Sequence, residues 1–126
     1  MSNADLVNIG LSEAGNARLE YLKEHGYFAE KLDGYRFSVS LALASGAIGP
    51  EITKRSTFLN VGSFDPDQAF KRAVEALLPE LLEQSTVYRL VERLADWGAN
   101  ELYQQAENGD VDFQGFLDGV GQKPTG

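Results

Sequence analysis

Between Arg36 and Gly46 the chain carries no charged side chain; FSVSLALAS is apolar or small throughout. A run this poor in polar groups has to be covered by other elements, so it dictates what the rest of the chain must do. Read with period two, Phe37, Val39, Leu41 and Leu43 face one way and Ser38, Ser40, Ala42 and Ala44 the other, as in a strand. Read with period 3.6, Tyr35, Val39 and Leu43 form one ridge, with Phe37 and Leu41 nearly opposite. Periodicity leaves both open. Asp33 as N-cap, the good helix formers Leu and Ala, and Gly46 as a stop favour a helix. The expectation is a buried central helix over residues 33–46, whose Ser and Ala positions let neighbours approach closely.

The 126 residues suit one domain, 1–126, with its ends (1–4 and 122–126) frayed. A chain this long buries roughly two-thirds of its unfolded surface without staples. Cysteine is absent, which removes disulfides, thiolate nucleophiles and Cys-type zinc sites. MSNADLVNIG has neither a basic region nor a long apolar core, so no signal peptide is expected there. No apolar run reaches the ~20 residues of a membrane helix. The expected location is the cytoplasm. Nineteen acidic against eleven basic residues give a net charge of −8, which repels phosphate backbones at long range.

Taken in order, residues 5–11 (DLVNIGL) alternate as a short strand, with Val7, Ile9 and Leu11 on one side. Ser12 caps a helix from Glu13 to His25 with Ala14, Leu19 and Leu22 on its core side, ending at Gly26. After an apolar connector (Tyr27-Phe28-Ala29) and the central helix, residues 46–50 are irregular. A second short extended piece is expected at 57–61, around Phe58. Asp65-Pro66 reads as a helix start, followed at helical spacing by Phe70, Ala73, Val74, Leu77 and Leu78. Pro79 ends that helix, and Glu80–Gln84 begins a new segment. Thr86 opens the longest helix, to about Glu107, with an apolar stripe through Val87, Leu90, Val91, Leu94, Ala95, Gly98, Leu102 and Ala106. Asn108-Gly109 is its stop. Phe113, Phe116 and Leu117 place a last short helix within Val111–Val120. The fold class expected is mainly α: a single-domain helical bundle with a short N-terminal strand.

Reactive chemistry is thin. His25, the sole histidine, sits at a helix end, where a partly cationic imidazole suits the dipole, and no base–nucleophile order can be built on it. Asp110, Asp112, Gln114, Gly115, Phe116 and Asp118 imitate an EF-hand loop, but Gly121 stands where the bidentate Glu belongs, so capping and solvated acids are the better reading. Asp65 and Asp67 are explained by a first helical turn. Neither a Walker sequence nor GxGxxG occurs. No catalytic, cofactor-binding or metal residue is therefore assigned. Arg89 and Arg93 each precede an acid by three residues, Glu92 and Asp96, so local ion pairing is expected to absorb them. Lys54, Arg55, Lys71 and Arg72 form a small phosphate- or partner-contacting patch if folding gathers them. Trp97 and Tyr88 are candidate interface anchors, but at this spacing Trp97, Tyr88 and Tyr103 are all better read as packing a core edge.

Two family-level layouts fit. Strand, helix, helix over the first 46 residues has the element order of a ribbon-helix-helix DNA-binding regulator, which would dimerise through the Leu6–Leu11 strand. The wider resemblance runs from about Leu19 to Leu117. It comprises Gly26-Tyr27-Phe28 at a helix end, Asp33, FSVSLALASG, an irregular middle with Phe58 and Val61, and ERLADWGANEL from Glu92 to Leu102. Spacing and the residues Phe37, Leu43, Gly46, Glu92, Ala95, Gly98 and Leu102 make this layout resemble the small accessory proteins of bacterial DNA-phosphorothioation systems. That resemblance implies a non-catalytic accessory or interaction protein within DNA modification or phage defence. It implies no enzymatic residues to carry over; the residues themselves give the further expectations of a protein partner, no cofactor and no membrane.

Overall fold

The structure is a computed structural model that describes residues 4–109. It is mainly helical, with five helices and a two-stranded antiparallel sheet among the described residues. In order these are β1 (Asn8–Ser12), α1 (Glu13–Glu24), α2 (Lys31–Ser45), β2 (Arg55–Asn60), α3 (Val61–Phe64), α4 (Ala69–Leu77) and α5 (Val87–Glu107), with a 3-10 turn at Leu81–Glu83. The helix expected over 111–120 and the acidic loop from Asp110 to Gly121 lie outside the described residues.

The uncharged run is helical. Gly34, Tyr35, Ser38, Val39, Leu41 and Ala42 of α2 are buried, and Gly46 closes the helix at φ 66°, a left-handed geometry that glycine adopts without strain. The start differs from expectation: α2 begins at Lys31, with Glu30 at the cap position and Asp33 in the first turn. Its main neighbour is α5, and the small residues set how near the two come. A Cβ on Gly98 would lie 2.1 Å from the Ser38 carbonyl oxygen, so only glycine permits this crossing. Buried Leu90, Val91, Leu94, Ala95, Ala99 and Leu102 make α5 the spine of the core.

At the first helix the expected cap holds: Ser12 Oγ accepts the Gly15 amide at 3.0 Å. Leu19 and Leu22 are buried as expected, whereas Ala14 is exposed and Gly15 is buried in its place. Gly15 packs so tightly on Asp96 that a side chain there would meet the carboxylate.

β1 pairs with β2 in register Ile9–Leu59 and Leu11–Ser56. One extra residue, Phe58, bulges from β2 opposite the Ile9–Gly10 step. Ile9 and Leu11 are fully buried, but Val7, expected on the same side, is outside the strand and exposed.

Asp65-Pro66 does not start a helix. Residues 66–67 form a turn, Gln68 takes a left-handed φ of 61°, and α4 begins at Ala69. Asp65 caps nonetheless, from a distance: its carboxylate accepts the amides of Phe70 (3.0 Å) and Lys71 (2.9 Å). At α5 the division of labour is reversed. Thr86 occupies the cap position, yet its hydroxyl is buried without a partner among the described residues. Asp5 supplies the acceptor instead, taking the Tyr88 amide at 3.1 Å. Among the described residues, no helix is long and apolar enough to cross a membrane.

Candidate functional site

Two features stand out, one built on α5 and one between α2 and α4. The first is polar. Glu92 falls at i+4 from Tyr88 and i−3 from Ala95, inside the apolar stripe, so its carboxylate is turned into the protein with a side chain 4% exposed. Oε2 accepts the Gly10 amide at 3.0 Å, and Arg55 Nε grips the same carboxylate at 2.9 and 3.0 Å. Arg55 also donates to the Asn8 carbonyl at 3.0 Å. One turn on, Asp96 accepts from both the Ser12 amide (3.1 Å) and the Ser12 hydroxyl (3.0 Å). The two acids thus bind the backbone of β1, holding the Gly10 and Ser12 amides against α5.

The ion pairs expected for Arg89 with Glu92 and for Arg93 with Asp96 are therefore not formed. Among the described residues the only ion pairs are Arg55–Glu92 and Lys31–Glu20. Arg93 donates its Nε to the Gly49 carbonyl at 2.9 Å, and Arg89 is exposed. Arg55, Arg89 and Arg93 line one cleft of about 140 Å³, together with Glu51, Gln84 and Ser85.

The four basic residues expected as a patch divide. Arg55 is held by Glu92, and Lys54 lines an adjoining cleft with Glu13 and Asp96. Lys71 and Arg72 are on α4 and line neither cleft. The cationic cluster that the sequence reading missed consists of Arg55, Arg89 and Arg93. Its signal was the position of Glu92 within the stripe, which already denies that acid to Arg89.

The second feature is apolar. Ser40, Leu43 and Ala44 of α2 face Ala69, Phe70, Ala73 and Leu77 of α4 across an open groove of about 330 Å³. Leu43 and Leu77 also line a smaller cavity of about 160 Å³ that runs on to Ile48 and Leu94. Leu77, 59% exposed, lines both the groove and the cavity.

Neither candidate anchor lines the groove, and both pack at the core as their helical spacing suggests. Tyr88 is buried, and its hydroxyl donates to Asp65 at 2.9 Å, so it serves the interior. Burial first, and then the bond to that carboxylate, push its phenol above the ordinary range. Tyr35 is likewise internal, donating to the Gly10 carbonyl at 2.8 Å. Burial, then the charges of Glu92 and Asp96, hold its proton well above the usual pKa. Trp97 is half-buried at the core margin, against Gly49. His25 is exposed at the α1 terminus, stacked on Tyr21, with Nδ1 2.9 Å from the Tyr21 carbonyl oxygen. Tyr103 meets Tyr21 edge-on. Among the described residues, no group of three or more His, Cys, Asp or Glu side chains is gathered as a metal site would need.

Comparison of the chain with protein-family models, with curated proteins and with solved structures finds no match.

Proposed function

We propose that this chain is a non-catalytic interaction protein whose docking face is the α2–α4 groove. The observation that carries the reading is the juxtaposition of Leu43, Phe70, Ala73 and Leu77 around an open apolar trough. Exposed apolar grooves of this kind receive the apolar stripe of an amphipathic helix, with anchors at i, i+3/i+4 and i+7. The net charge of −8 favours a partner helix flanked by basic residues. The narrower reading places the protein in the cytoplasm, as an accessory component of a DNA-phosphorothioation or phage-defence system. It is supported by the layout shared over residues 19–117.

The reading of β1 as a dimerising ribbon loses its support. β1 pairs with β2 of the same chain, and two of its amides are taken by α5 carboxylates.

The test is a pull-down from the native host with wild-type and Leu77→Asp baits. The expected result is recovery of a DNA-modification or restriction component by the wild type and its loss with Leu77→Asp. Recovery of no such component, against a stable mock bait, overturns the narrower reading. Equal recovery by both baits overturns the groove as the docking face.

A further inference from the structure

We propose that the cleft lined by Arg55, Arg89 and Arg93 binds a phosphate-type oxyanion, with Arg89 and Arg93 as the direct ligands. Arg89 and Arg93 stand one turn apart on α5, where two like charges repel. The acids placed to relieve that repulsion are committed elsewhere: Glu92 to Gly10 and Arg55, Asp96 to Ser12. The two positive charges are left uncompensated because the strand has taken the neighbouring acids.

The local charge balance decides the sign of the site. Glu92 and Arg55 cancel each other within one ion pair. What remains along the cleft is Arg89 and Arg93 against Glu51, two positive charges to one negative. In a chain of net charge −8 this is a local inversion.

Geometry favours an oxyanion over a simple halide. Arg93 is anchored through Nε to the Gly49 carbonyl, which fixes the plane of its guanidinium. Among the described residues neither of its Nη nitrogens has a partner, and Arg89 has no hydrogen bond or ion pair. Planar forks of this type match the paired oxygens of phosphate, and Gln84 and Ser85, which also line the cleft, carry neutral donor groups. The acidity of the rest of the chain weakens long-range attraction, so binding is modest and falls with added salt.

The chemistry suits free phosphate or the phosphoryl group of a nucleoside monophosphate, and titration calorimetry at low salt separates them. Inorganic phosphate and adenosine monophosphate are each titrated into wild-type protein and into Arg89→Gln, Arg93→Gln and Glu51→Gln variants, whose folding is checked by circular dichroism. The expected result is saturable phosphate binding that weakens roughly tenfold in each arginine variant and tightens in Glu51→Gln. Tighter binding of the nucleotide than of phosphate assigns the site to a phosphorylated ligand, and equal or weaker binding assigns it to the free ion. Flat traces with both ligands overturn the proposal. So does binding that survives unchanged in a folded Arg89→Gln/Arg93→Gln double variant.

Discussion

Arg55 Nε lies 2.9 Å from Glu92 Oε1, joining the first residue of β2 to the middle of α5 across a carboxylate that also receives the Gly10 amide. Removing Arg55 leaves that carboxylate buried without its counterion. Arg55→Met is expected to cost about 1–3 kcal/mol, below the cost of breaking a fully buried pair because the arginine itself is partly exposed. Adding Glu92→Gln to it is expected to cost little more, since the amide carbonyl still accepts from Gly10. Urea denaturation of the singles and the double measures this non-additivity.

Gly98→Ala places a methyl 2.1 Å from the Ser38 carbonyl oxygen, and Gly10→Ala places one 1.8 Å from the Ser56 carbonyl oxygen. Both obstacles are backbone and neither can swing aside. Each substitution is expected to destabilise by roughly 1–3 kcal/mol or more, read as a fall in the urea midpoint. Gly15→Ala meets the Asp96 side chain and should cost the Ser12 contacts as well.

Asp65 joins three partners: two α4 amides and the Tyr88 hydroxyl. Asp65→Ala is expected to lose about 2–3 kcal/mol, more than an ordinary exposed cap, because the site is buried. Amide exchange should quicken most at Phe70 and Lys71. Asp67→Ala, which removes only an exposed acceptor for the Ala69 amide, should stay within about 1 kcal/mol.

Stability should fall in alkali. In the unfolded chain the phenols of Tyr35 and Tyr88 ionise near the ordinary value of 10.0, whereas the folded protein holds both protons to higher pH. Above about pH 10 the unfolded state therefore binds fewer protons than the folded one, and stability declines as pH rises. Below that value these two groups contribute no slope. Of the five tyrosines, Tyr35 and Tyr88 should ionise only as the protein unfolds, giving a late step in tyrosinate absorbance that coincides with loss of helical ellipticity.

The helices were legible where the signal was local. The α5 stripe, the Ser12 cap and the stops at Gly26, Gly46 and Gly109 depend on neighbours a few residues away. Asp65 was legible as a cap but not in register, because nothing local announces that Gln68 adopts a left-handed φ and delays α4 to Ala69. The pairing of β1 with β2 joins residues nearly fifty apart, and short alternating runs do not name their partners. For the candidate cleft the same limit applied. An acid three residues after an arginine is indistinguishable from a surface ion pair until tertiary structure supplies a buried amide that binds it better. Only the placement of Glu92 within the stripe pointed inward.

Carboxylates of α5, rather than a second strand, hold the Gly10 and Ser12 amides, which leaves Arg89 and Arg93 without an acid partner among the described residues. Native-state amide exchange by NMR tests it most directly. Protection at Gly10 that approaches the global unfolding free energy, and that drops selectively in Glu92→Ala while β2 amides stay protected, is the predicted result. Rapid exchange at Gly10 and Ser12 in the wild type, or protection that depends on protein concentration, would contradict it.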